Sequence, residues 1–188
     1  FENEIRGLMP MVYYHVWDNY PYPFYNKPSY DSNDVVATIS KVTNDIVKTV
    51  SPTVECVYIP HTVDTEIFKP LSSERVTELR KEFFNLDDDD DKVLFFWNNR
   101  NARRKQSGSV LWWFADFLEK VGKDKAMLLM HTDPHDPHGQ DLLTLIERRG
   151  LTNKQILLSR DKLSTEGMAD LYNMADCTVN VADAEGFG

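Results

Sequence analysis

Basic residues in an otherwise acidic chain are the first feature that could do chemistry. Arg100, Arg103, Arg104 and Lys105 occur close together, whereas the whole chain carries a net charge of −9. Arginine can hold phosphate oxygens in a bidentate manner, and lysine adds a compact point charge. The stretch therefore predicts a local phosphate site, with a solvated basic surface as the alternative. The net charge argues against a general binder of nucleic acids or anionic membranes.

The last residues of the chain are a second candidate. Glu185, Gly186, Phe187 and Gly188 follow the apolar run Cys177–Val181. Glycine lets backbone N–H groups approach a ligand closely, and a carboxylate accepts hydrogen bonds from hydroxyl groups. This corner is therefore either a ligand cradle or an ordinary turn between a strand and a helix.

A histidine-rich segment, residues 131–139, invites a metal interpretation. Its histidines alternate with aspartate and proline. Structural zinc sites usually add cysteine, and catalytic ones usually take ligands from more than one element, so we expect a polar loop and no metal. Glycine motifs typical of dehydrogenases, P-loop NTPases and α/β-hydrolases do not occur. The two cysteines, Cys56 and Cys177, form no metal or redox motif, which favours a reducing, cytoplasmic location.

Apolar runs alternating with helix-like spacing must position these residues. The pattern predicts an α/β protein with a Rossmann-like parallel sheet flanked by helices. In such sheets ligands bind beyond the carboxyl ends of the strands, which gathers the loops 98–108, 131–139, 159–162 and 182–188. The predicted elements of this part are strands 93–97, 126–130, 155–159 and 177–181 and helices 72–84, 109–121, 141–149 and 164–174.

The first part of the chain carries a second, shorter alternation. Its predicted elements are strands 11–15, 34–40 and 54–60 and a helix over 41–50 that Ser40 caps. The aromatic, proline-rich segment 16–23 is predicted to be a loop, which suits either sugar binding or packing. Like charges repel, so the aspartate run 87–91 is predicted to be a solvated loop; a calcium site there is disfavoured because its ligands are not spaced.

Several of these segments resemble retaining GT-B glycosyltransferases of the glycosyl transferases group 1 family. Val57–Pro70 is similar to the interdomain segment V-I-P-N-G-V-D-x-x-x-F-x-P of that family, with His61 and Thr62 in place of Asn-Gly. Arg100 and Lys105 match its G-R-x-x-x-x-K pair, although Asn99 replaces the glycine.

The resemblance continues toward the end of the chain. Ala169–Asp176 is similar to the helix that precedes the last strand in the family, and Glu185–Gly188 matches the start of its E-x-x-x-x-x-x-x-E motif. The resemblance implies two Rossmann-like domains. Residues 1–60 would be the end of the N-terminal acceptor domain, 61–72 the interdomain segment, and 73–188 an incomplete nucleotide-sugar-binding domain. A piece truncated at both ends is expected to be inactive alone.

The resemblance also implies a role for each candidate residue. Arg100 and Lys105 would hold the donor diphosphate, Glu185 would contact the sugar hydroxyls, and His15 would be the active-site histidine. The donor is a nucleotide-diphosphate sugar, with no other cofactor. The acceptor would be a carbohydrate or a lipid-linked molecule, with peripheral membrane contact through the N-terminal domain. The alternatives are a non-catalytic binding module and a GT-B epimerase or phosphorylase. Further donor-binding residues would be Arg104, His131, Arg160, Gly186, Phe187 and Gly188.

Overall fold

Two compact units make up the chain. The computed structural model describes residues 2–84 and 91–187, with side chains from residue 4 onward. One unit comprises the residues up to Val63 together with those from Ala184 onward, and the other is Asp64–Asp183. Among the described residues, no helix combines the length and the apolar character needed to cross a membrane.

The first unit is built on a three-stranded parallel sheet in the order β1-β2-β3. The predicted helix over 41–50 is confirmed, because the Ser40 hydroxyl accepts a hydrogen bond from the Thr43 N–H at 3.0 Å and so caps it. A short helical segment after the aromatic loop, Phe24–Asp31, was not predicted. The elements of this unit are β1 Val12–His15, α1 Lys27–Asp31, β2 Val35–Thr38, α2 Lys41–Val50 and β3 Glu55–Tyr58.

The second unit is a four-stranded parallel sheet in the order β6-β5-β4-β7. The predicted alternation of strands and helices is confirmed, and residues 61–72 contain no helix or strand. The elements are α3 Ser73–Phe84, β4 Val93–Asn98, α4 Ser107–Val121, β5 Ala126–His131, α5 Leu142–Arg148, β6 Ile156–Ser159, α6 Thr165–Met174 and β7 Cys177–Thr178.

Helices cover both faces of this second sheet, because successive strand residues point to opposite sides. Leu128 and Met130 of β5 pack under α4 and α5, whereas Met127 and Leu129 pack under α3 and α6. All four side chains are buried, as the continuous apolar run of a central parallel strand predicts.

The end of the last strand and the start of α4 differ from the prediction. The last strand pairs with β4 only at Cys177 and Thr178 and does not reach Val181, since the Asn180 side chain accepts the Ala182 N–H and turns the chain. Helix α4 begins at Ser107 instead of Ser109. In the aspartate run, residues 87–90 lie outside the described residues, as does Gly188.

Candidate functional site

The predicted loops 98–108, 131–139 and 159–162 follow strands at the carboxyl edge of the second sheet. Asn98, His131 and Ser159 end neighbouring strands and lie opposite one another in register. Strand β4 lies between β5 and β7: the chain runs from β4 outward through β5 to β6 and then crosses back to β7 on the other side of β4. Such a topological switch point is where open parallel sheets bind ligands.

The basic loop leaves this edge after β4. Its residues Arg103–Lys105 form a short 3-10 helix, and Gln106 follows in the left-handed conformation, with φ of 56°. The Gln106 amide nitrogen donates to both carboxylate oxygens of Asp183, at 2.9 and 2.8 Å. The Asp183 N–H in turn donates to the Arg104 carbonyl at 2.8 Å. These bonds join the basic loop to the segment that follows β7.

A buried polar network supports the same loop from below. The fully buried Asn101 donates from Nδ2 to the Gln140 carbonyl at 2.9 Å, and its Oδ1 accepts from the Ser107 hydroxyl at 2.6 Å. The Gln140 side chain accepts the Gly108 N–H at 2.5 Å, inside the first turn of α4. A Cβ at Gly139 would lie 2.2 Å from the Asn101 carbonyl oxygen, so glycine is required there.

Sequence reasoning missed Asn101 and Gln140. Neither belongs to a motif, and the two residues are 39 positions apart in the chain. The only available signal was the polar, uncharged Asn101 within a basic loop that begins at a strand end.

Arg100, the first residue of the predicted diphosphate pair, is in contact with the loop after β5. Its Nε donates to Asp136 Oδ2 at 2.6 Å and its Nη2 to Asp136 Oδ1 at 3.3 Å, with His138 Nδ1 a further 3.1 Å from Nη2. The hydrogen bonds from Arg100 and from the His138 N–H lower the pKa of Asp136, and Asp136 raises the pKa of Arg100.

His131 and Arg160 follow β5 and β6 at the same edge. The His131 Nδ1 lies 2.8 Å from the Ser159 hydroxyl, and burial lowers the pKa of the imidazole, which favours its neutral form. Arg160 is exposed directly after β6, and Lys105 is half-buried in the 3-10 helix. The loops of one sheet edge therefore carry Arg100, Arg104, Lys105, His131 and Arg160.

The segment from Ala184 onward belongs to the first compact unit. A Cβ at Gly186 would lie 2.2 Å from the Val16 Cγ1, so only glycine fits against this side chain. The Phe187 ring meets the His61 ring edge-on at 5.4 Å. Glu185 is half-buried beside them.

His15 ends β1 in the first unit and is only 4% exposed. Its Nε2 lies 2.8 Å from the Tyr30 hydroxyl and its Nδ1 lies 3.1 Å from the Tyr13 hydroxyl. Burial lowers the pKa of the ring. Both nitrogens of His15 are therefore held by tyrosines.

The histidine-rich loop does not gather a ligand set. Within residues 2–84 and 91–187, no three His, Cys, Asp or Glu side chains are arranged to hold a metal ion.

The chain resembles known proteins in structure. No protein-family model matches the chain, and no curated protein does. A trehalose 6-phosphate synthase from Burkholderia multivorans matches with a TM-score of 0.71 and 12% identity, over 99% of this chain and 49% of its own. A glycosyltransferase from Rickettsia africae matches with a TM-score of 0.64 and 17% identity, over 91% and 45%.

A third similar structure contains a ligand. The trehalose-6-phosphate structure from E. coli, bound with UDP-2-fluoro glucose, matches with a TM-score of 0.66 and 14% identity, over 99% of this chain and 50% of its own. The chain thus spans about half the length of the structures it matches. Its fold is that of the GT-B glycosyltransferases.

Proposed function

We propose that the chain is part of a glycosyltransferase that takes its sugar from a nucleotide-diphosphate donor. One observation carries the proposal: the basic loop with Arg100, Arg104 and Lys105 leaves a parallel sheet at its topological switch point. That position binds nucleotides in open α/β sheets, and the loop concentrates positive charge in a chain of net charge −9. The fold shared with GT-B glycosyltransferases agrees with this function.

Charge separation in the reaction explains the residue types. Breaking the bond between sugar and diphosphate leaves negative charge on the diphosphate while positive charge develops on the sugar ring. Arg100 and Lys105 donate hydrogen bonds to the leaving diphosphate, and each such donor contributes about 3 kcal/mol to the transition state. Arg104, His131 and Arg160 extend the donor site at the same sheet edge. The proposed chemistry uses no metal.

The proposal also gives roles to Glu185, to the residues that follow it and to His15. Glu185 accepts hydrogen bonds from the sugar hydroxyls, and the backbone at Gly186, Phe187 and Gly188 contacts sugar and phosphate. His15 is the active-site histidine, and transfer retains the configuration of the donor sugar. Since the chain spans about half of the matched structures, the activity is proposed for the full-length protein, with a carbohydrate or lipid-linked acceptor.

The test is a panel of uridine, guanosine and adenosine diphospho-sugars on the full-length protein. Thermal stabilisation by a donor and transfer or hydrolysis of its sugar are the expected results. UDP-glucose is the first donor to try, because the E. coli structure holds UDP-2-fluoro glucose. Stabilisation without transfer or hydrolysis would favour a non-catalytic binding module.

Removal of the basic side chains tests the residue assignment. Lys105→Ala and Arg100→Ala should each lower kcat/KM by about 100-fold or more, because each removes one donor to the leaving diphosphate. Arg103→Ala is the matched control, since Arg103 is exposed, lies in the same 3-10 helix and carries the same charge. Turnover by Lys105→Ala equal to that of the control would contradict the assignment.

A further inference from the structure

The ion pair between Arg100 and Asp136 occupies the donors that a phosphate would need. Both carboxylate oxygens of Asp136 accept from Arg100, one from Nε at 2.6 Å and one from Nη2 at 3.3 Å. His138 Nδ1 lies 3.1 Å from Nη2 and 3.2 Å from Asp136 Oδ1, so the tautomer of His138 decides whether it accepts from Arg100 or donates to Asp136. Only Nη1 keeps its N–H groups free of these contacts.

A guanidinium group holds phosphate through a fork of two N–H groups on adjacent nitrogens. The two forks of arginine are Nε with Nη2 and Nη1 with Nη2, so both require Nη2. In Arg100 the fork of Nε and Nη2 is engaged by both carboxylate oxygens of Asp136. A bidentate grip on a diphosphate through this fork therefore requires Arg100 to leave the carboxylate.

Arg100 is the partner that can move. Its side chain is 63% exposed, whereas that of Asp136 is 10% exposed. Asp136 is also fixed to its own loop, because its Oδ1 accepts the His138 N–H at 2.9 Å. A long exposed arginine can change rotamer at the surface, while the short, covered aspartate stays in its turn.

We infer that Asp136 is a resident carboxylate of the donor site, which the diphosphate must displace from Arg100. The inference rests on the proposed function, since it concerns the same diphosphate site. Opening the ion pair costs the same free energy whichever anion takes the place of the carboxylate. Asp136 therefore weakens the apparent binding of every anion that uses this part of Arg100 by the same factor. The lowered pKa of Asp136 means that the carboxylate is ionised throughout the neutral range.

The chain provides a matched control in the same loop. The Asp133 Oδ1 accepts the His135 N–H at 2.9 Å, which is the same aspartate turn that Asp136 makes with His138. Asp133 has no hydrogen bond to Arg100. Asp133→Asn and Asp136→Asn thus remove the same charge from equivalent turns, and asparagine retains an oxygen that can accept the backbone N–H in both.

The experiment measures binding of inorganic pyrophosphate and of UDP to the full-length protein by calorimetry. Asp136→Asn should lower the dissociation constant for pyrophosphate by about 5-fold relative to Asp133→Asn, the size of a partly exposed ion pair. The same comparison with UDP should show the same fold-gain for Asp136→Asn, because both ligands displace the same carboxylate. Equal dissociation constants in the two variants, or weaker pyrophosphate binding by Asp136→Asn, would overturn the inference.

A double-mutant cycle assigns the gain to the arginine. In the Arg100→Ala background, Asp136→Asn should change pyrophosphate binding no more than Asp133→Asn does. A gain that persists without Arg100 would contradict displacement from that residue. If the unmodified protein and every variant bind neither pyrophosphate nor UDP, the proposed function fails. If the unmodified protein binds UDP and the cycle shows no coupling, the inference alone fails.

Discussion

Each of the two parallel sheets has a strand that ends in a histidine, and the surroundings of the two histidines differ. His15 ends β1 and is enclosed by the hydroxyls of Tyr13 and Tyr30. His131 ends β5 and is half-buried, with the Ser159 hydroxyl as its hydrogen-bond partner. The buried polar groups at the first edge thus satisfy one another within a short stretch of chain.

At the second edge the buried Asn101 and Ser107 bond to the exposed Gln140 and support the loops. Asn101, Gln140 and Ser107 lie under the loops and hold them, while Arg100 above them stays exposed. The same parallel architecture therefore gives one closed edge and one edge whose buried network presents charge to solvent. A histidine at a strand end therefore occurs in both surroundings and does not by itself define a site.

Removing the support of the second edge should have the largest effect on the free energy of unfolding. Asn101→Ala deletes two hydrogen bonds to the Gln140 backbone and a buried one to Ser107, leaving their partners unsatisfied. We expect the free energy of unfolding to fall by about 3 kcal/mol. Urea denaturation followed by tryptophan fluorescence can measure this, since Trp97 is buried in the same unit.

Asn44→Ala is the matched change in the first unit. The buried Asn44 donates to Thr38 Oγ1 at 3.1 Å and to Cys56 Sγ at 3.2 Å, but it lies in α2, where alanine is the better helix former. We expect a loss of about 1 kcal/mol, measured by circular dichroism. Equal losses in the two variants would show that Asn101 is no more than an ordinary buried amide.

Local signals in the sequence predicted much of the fold. Continuous apolar runs located the strands, and Ser40, Gly122 and Ser164 marked helix ends that the structure confirms. These signals suffice because a cap and its partner lie within one helical turn. They also explain why the carboxyl edge could be located before the structure, since parallel strands end on one side.

Contacts between distant residues could not be predicted in the same way. The start of α4 at Ser107 depends on Gln140, and the ion pair of Arg100 depends on Asp136. Both partners lie in another loop, and nothing in their local sequence marks them. The sequence therefore located the candidate diphosphate loop, whereas the network that holds it required the structure.

Acid should destabilise the folded chain through its two strand-end histidines. Burial lowers the pKa of His15 and of His131 below the ordinary value of 6.5, so below that pH the unfolded chain binds protons that the folded chain does not. The contribution of these two histidines to the free energy of unfolding should therefore be complete above about pH 6.5. It should be lost progressively as the pH falls below that value. We expect an effect smaller than that of Asn101→Ala.

His15→Gln should reduce this acid sensitivity more than His131→Gln, because His15 is the more deeply buried ring. Glutamine does not titrate, and its amide can still bond to the tyrosine hydroxyls. Melting temperatures between pH 7.5 and 5.5 measure the slope, with the exposed His135→Gln as control. An unchanged slope in His15→Gln would mean that other groups cause the acid response.

The smallest effect concerns Gln106. Its backbone is left-handed, and its side chain joins the basic loop to Asp183. Gln106→Ala removes the side-chain bonds but keeps a Cβ at φ of 56°, whereas Gln106→Gly removes the bonds and also relieves the backbone. Both variants lose the same exposed hydrogen bonds, so their difference isolates the strain. The glycine variant should be more stable than the alanine variant by about 1 kcal/mol in urea denaturation. Equal stability would mean that Gln106 is not held in the left-handed conformation, and the connection to Asp183 would then need no strain to maintain it.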